Sequence, residues 1–183
     1  GQTGERGVFA GRRVDPEPWQ KLLAVHHEVR PDGLTITPEG ELVVWDSRRE
    51  RLHTFRADRQ GWRLFSVEKI KGAEARGLAC DSTGTIIIPV GNGILAKSNG
   101  VRRIAGHPDN HLVSGPGFVP NEDALGSHLV DIKDVAVGPQ NAIYVLDGSR
   151  RIVVIDAFGR AGYFRTGERV HAAEALAVDR QGQ

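Results

Sequence analysis

The chain contains no methionine and a single cysteine among its 183 residues. One thiol cannot close an internal disulfide, so a stapled scaffold is excluded and Cys80 is expected to be a small, inward-facing group on a strand. The missing methionine, position 1 included, leads to the expectation that this polypeptide is a processed or excised piece. No apolar run is long enough to cross a bilayer, and residues 1–20 do not read as a secretory leader. A net excess of either charge is also missing, with 24 Lys and Arg against 23 Asp and Glu. A formal net charge of +1 weighs against the salt-dependent phosphate attraction of a general nucleic-acid binder.

What the chain has instead is repetition. Gly33-Leu-Thr-Ile-Thr-Pro-Glu-Gly-Glu-Leu-Val-Val-Trp-Asp46 returns as Gly77-Leu-Ala-Cys-Asp-Ser-Thr-Gly-Thr-Ile-Ile-Ile-Pro89 and as Asp134-Val-Ala-Val-Gly-Pro-Gln-Asn-Ala-Ile-Tyr-Val-Leu-Asp147. A fourth copy starts at Ala175-Leu-Ala-Val-Asp179. Each copy reads as strand, tight turn with Gly or Asn, strand. The equivalent points Leu34, Leu78, Val135 and Leu176 are 44, 57 and 41 residues apart, and the Gly/Pro-rich segment 106–131 accounts for the long interval. About 40–45 residues is what four short antiparallel strands and their turns need.

The first copy predicts strands over 34–37, 42–45, 52–55 and 62–67; the second over 78–80, 85–88, 94–97 and 101–104; the third over 135–137, 142–146, 152–155 and 161–164. Pro89 is expected to close its strand, a position where proline is tolerated. Ile86-Ile87-Ile88 and Val153-Val154-Ile155 are apolar on both faces, as in sheets sandwiched between neighbours. Radial stacking of blades produces that pattern, so the expected fold is all-β: a partial propeller of about three four-stranded antiparallel blades plus a fragment. The expected organisation is a glycine-rich inter-blade segment at 1–32, blades at 33–73 and 74–105, a long inter-blade loop at 106–133, a blade at 134–170 and the start of another at 171–183.

These residues resemble NHL repeats. The third copy is nearest, with Asp134-Val-Ala-Val137, Ala142-Ile-Tyr-Val-Leu-Asp147 and Arg151-Ile-Val153; the first keeps Gly33-Leu34, Leu42-Val-Val-Trp-Asp-Ser47 and Arg51-Leu52. Ile104-Ala-Gly106, with the glycine-rich loop and Asn121-Glu-Asp-Ala-Leu125 after it, is similar to the inter-blade segment of bacterial and teneurin-like members. A more distant resemblance is to gluconolactonase-type propellers. The resemblance implies a propeller, usually six-bladed, used mostly to hold partners. Six blades would need on the order of 250 residues, so the remaining blades are expected from the same parent chain or from a partner chain. The second copy departs from the pattern, with Pro89-Val-Gly-Asn-Gly-Ile94 where Asp and Arg are expected.

Candidate chemistry is sparse. Asp46 and Asp147 end second strands and are expected to bond backbone N–H groups; the alternative is a metal held by carboxylates converging on the axis, as in lactonase-type propellers. His107 and His111, four apart with Asp109 between them, and His128 with Glu122 and Asp123, suggest zinc, but Pro108, Gly115, Pro116 and Gly117 keep the segment from aligning ligands on a helix. No nucleophile elbow or phosphate loop appears. Strand parity puts the loops between second and third strands on the same face as the inter-blade segments. That face carries Arg48, Arg49, Arg150 and Arg151, joined by His107 and His111 as candidate binding residues. The expected function is non-enzymatic: a scaffold holding a protein or peptide partner on that face, with no catalytic residue, metal or cofactor assigned and no membrane segment. A metal-dependent lactonase or lyase and a single-stranded RNA binder are the alternatives.

Overall fold

A computed structural model describes residues 9–10, 20–21, 31–59, 61–71, 76–106, 122–148, 151–164 and 173–179. A short antiparallel pair, β1 (Phe9–Ala10) and β2 (Gln20–Lys21), precedes three larger sheets. The first blade is β3 (Gly33–Ile36), β4 (Leu42–Asp46), β5 (Arg51–Asp58) and β6 (Gly61–Lys69), paired antiparallel in chain order. The second is β7 (Ala79–Cys80), β8 (Ile86–Val90), β9 (Gly93–Lys97) and β10 (Val101–Ala105). After β11 (Glu122–Asp123) and a 3-10 turn over Ala124–Gly126, the third blade is β12 (Ile132–Val137), β13 (Ile143–Asp147), β14 (Arg151–Ile155) and β15 (Arg160–Tyr163). Short turns leave consecutive strands no geometry except antiparallel.

Turn chemistry fixes these connections. Gly40 and Gly84 take positive φ of 80° and 85° in equivalent β-turns, and Asn141 occupies the same left-handed region at 59°. Asp81 accepts the Thr83 and Thr85 N–H groups at 2.8 and 2.9 Å, so its own side chain holds the turn.

The blades stack through apolar faces. Ile86 and Ile88 face the first blade, in one cluster with Val43, Trp45 and Leu52. Ile87 faces the third blade, in a second cluster with Val135, Val145 and Val153. Trp45 is fully buried between the first two blades, where its large ring fills the gap. Cys80 lies half-buried against the same cluster. Its thiol is pushed up to about 11, first by burial and then by Asp81 and Glu39. It therefore stays protonated and unreactive at neutral pH.

Several elements differ from the sequence expectation. Pro89 does not end its strand; β8 runs one residue further, to Val90. Proline is tolerated there because β7 pairs only with Ile86 and Ile87, which leaves Pro89 a neighbour on one side alone. The 106–133 segment is not only loop. Its residues 122 and 123 add β11 to the outer edge of β15, making the third sheet five-stranded. Within 173–179 no strand forms, although Leu176 is tied to the third blade.

Candidate functional site

The site is built from the ends of second strands and the segments that lead into first strands. In the third blade Asp147, almost fully buried, accepts the N–H groups of Val130 at 2.9 Å and Asp131 at 2.8 Å. Arg151 donates Nε to the other Asp147 oxygen at 2.7 Å, and its Nη2 reaches both that oxygen and the His128 carbonyl. A buried carboxylate is tolerable only with such a set of donors. The pair latches the inter-blade segment onto the turn between β13 and β14, so both lie on one face. The first blade does the equivalent through Asp32, whose carboxylate accepts the Ser47 N–H and Oγ–H at 3.1 and 2.6 Å.

The second blade lacks the Asp–Arg pair and replaces it with close approach. Val90 is buried in the apolar cluster where the other blades have aspartate. Gly106, at a positive φ of 78°, rests so closely on Asn92 and Gly93 that a Cβ would collide with the Asn92 carbonyl. Gly106 thus packs over the β8–β9 turn without an Asp–Arg pair, its carbonyl accepting instead from Arg103 Nη1 at 3.4 Å.

On the same face the starts of the four repeats meet. The Gly77 N–H donates to the Asp32 carbonyl at 3.1 Å, and the Leu176 N–H donates to Asp134 Oδ2 at 2.8 Å. A Cβ on Gly33 would lie 2.6 Å from the Gly77 carbonyl carbon, and one on Gly77 would strike the Asp134 carboxylate. Glycine in the first two repeats is what lets neighbouring blades close in. The converging starts line an open cleft of about 710 Å³ whose charged groups are Asp32, Arg76, Lys133, Asp134 and Glu174. Arg76 and Glu174 face each other at 3.8 Å, both 71% exposed, and Lys133 sits 2.8 Å from Asp131. Burial raises the Asp134 pKa above its ordinary value, opposed by the hydrogen bonds from Leu176 and Val135. The cleft therefore sets cations and carboxylates beside the apolar side chains of Leu34, Leu78, Val135 and Leu176.

Arg48 is exposed on the β4–β5 turn, and no described residue bonds its side chain. Arg49 is half-buried, with its guanidinium 3.8 Å from Asp46 and its N–H donated to Asp46 Oδ1 at 3.3 Å. Arg151 is committed to the latch. Arg150, His107 and His111 lie outside the described residues, as do Asp109, Pro108, Gly115, Pro116 and Gly117. Asp46 and Asp147 bond within the scaffold and do not line the cleft. Asp147 reaches beyond its own turn to the inter-blade segment, which the repeat pattern did not reveal. Arg76, Lys133, Asp134 and Glu174 form no local sequence motif; their signal is position, immediately before or at the start of a repeat.

Solved structures of similar fold identify the architecture. A catalytically inactive virginiamycin B lyase from Staphylococcus aureus superposes with a TM-score of 0.53 at 16% identity, over 81% of this chain and 45% of that one. The fold is a β-propeller. A streptogramin B lyase gives a TM-score of 0.53 at 18% identity over 83% of this chain and 46% of its own. An auxiliary nutrient binding protein from Bacteroides thetaiotaomicron gives 0.58 at 14% identity, over 81% and 43%. The chain thus spans less than half the length of these propellers. No known family's sequence model matches it, and no curated protein is similar to it in sequence.

Proposed function

We propose that this chain contributes blades to an NHL-type propeller that holds a protein or peptide partner on its loop-bearing face, with the partner's acidic part reaching Arg48, Arg76 and Lys133. The carrying observation is the convergence of the repeat starts around a charged cleft on the face that also bears the latched turns. Long segments pinned to a rigid scaffold are where binding tends to reside. Arg150, His107 and His111 remain candidates from the sequence. Arg49 and Arg151 pair with Asp46 and Asp147 at the turns of the loop-bearing face. Structural neighbours include lyases and a nutrient binding protein, but at this identity they share only the fold.

Fluorescence anisotropy with labelled hexaglutamate and hexalysine tests this. The account expects salt-sensitive binding of hexaglutamate alone, weakened about tenfold or more by the triple variant R48E/R76E/K133E. Equal binding of both peptides, unchanged affinity in the variant, or retention of single-stranded RNA without hexaglutamate binding contradicts it.

A further inference from the structure

The third strand and the outermost strand of the first blade are longer than their counterparts. β5 and β6 have 8 and 9 residues, whereas β9 and β10 have 5 each and β14 and β15 have 5 and 4. The outer edge of the third blade is covered by β11, and β10 is joined at its end by the Gly106 N–H to Ala124 carbonyl bond. No described strand covers β6. Along it Leu64, Phe65 and Val67 are 37%, 56% and 43% exposed. A long edge strand with exposed apolar side chains is a template for another strand.

The β6 sequence is complementary to itself in one antiparallel register. The irregularity between Thr54 and Phe55 in the β5–β6 pairing makes Phe65 an extra residue: Leu64 pairs with Phe55, and Ser66 pairs with Thr54. Alternation therefore skips a step at Phe65, and Trp62, Leu64, Val67 and Lys69 share one face while Arg63 and Glu68 share the other. A two-fold axis through Ser66 then sets each strand against its copy with like faces together. Leu64 meets the copy's Val67, Arg63 meets its Glu68, and Trp62 meets its Lys69. Without the bulge this register would place apolar side chains opposite the wrong face. Arg63 and Glu68 are 65% and 48% exposed, bridged at present to Asp58 and Lys97, so both can reach across the edge.

We propose that β6 is a homodimerisation edge, pairing antiparallel with β6 of a second copy of this chain to join two first blades into one eight-stranded sheet. Cross-strand pairs of opposite charge and of apolar groups supply the register. Sedimentation equilibrium of the wild-type chain, R63E, E68R and R63E/E68R tests it, with far-UV circular dichroism to confirm that each variant is folded. The expected result is a wild-type monomer–dimer equilibrium, dissociation strengthened about tenfold in R63E, recovery in R63E/E68R, and preferential heterodimers when R63E and E68R are mixed. A monomeric wild type, an R63E variant that associates as tightly as wild type, or a double variant as weak as R63E overturns the proposal.

Discussion

Among single residues, Asp134 carries the most consequence. It stands where the first two repeats have Gly33 and Gly77, and its carboxylate spans to Leu176 of the next copy while also taking the Val135 N–H. Because burial raises its pKa above the ordinary 3.8, folding favours the protonated form. Its stabilising contribution is complete below about pH 3.8 and is lost as pH rises through the raised value. At neutral pH the ionised carboxylate carries a desolvation cost. Asp134→Asn keeps an oxygen for the Leu176 N–H without the charge but turns its NH2 towards the Val135 N–H. Relative to wild type it is expected to gain stability as pH rises through the raised value and to hold a constant difference below about pH 3.8, whereas Asp134→Ala loses about 1 kcal/mol with each acceptor. Urea unfolding at several pH values reads both; a difference between the Asn variant and wild type that does not change with pH would contradict the assignment. None of this was legible in the sequence, where Asp134 reads as one more strand-leading residue. The consequence comes from the next copy's backbone, brought near by folding.

At the level of elements, most of the structure was legible, and the reason is visible in β8. Three consecutive isoleucines cannot sit on a sheet with one wet face, so their run already required neighbours on both sides. Ile86 and Ile88 meet the first blade and Ile87 the third. Ile88→Ala should therefore cost about 2–5 kcal/mol in a denaturant titration. Val101→Ala, on the half-exposed outer strand, should stay within about 0.5 kcal/mol. Equal losses would mean that the blades are not packed as described. What was not legible depends on pairing between distant segments. β11 has two residues and no alternation to signal it; only the edge of β15 makes it a strand. The length of β6 was underestimated because Gly61, Glu68 and Lys69 lack strand propensity and are held by β5 instead. The Asp147–Arg151 pair was visible as a motif, but its bond to the Val130 and Asp131 N–H groups required the fold.

For the molecule as a whole, the central claim is that consecutive meanders pack face to face around a common centre, with all repeat starts opening on one surface. The repeat spacing announced this arrangement, since units of that length hold four strands and none can bury both faces alone. The cleft was hidden because its charged groups come from four separate repeats and form no local motif. Methyl-resolved nuclear Overhauser spectroscopy on an isoleucine, leucine and valine-labelled chain tests the claim most directly. The account predicts contacts from Ile86 and Ile88 to Val43 and Leu52, and from Ile87 to Val135 and Val145, with no amide contacts between β6 and β7. Amide contacts joining β6 to β7 as one continuous sheet, or Ile86, Ile87 and Ile88 all sharing the same neighbours, would contradict it.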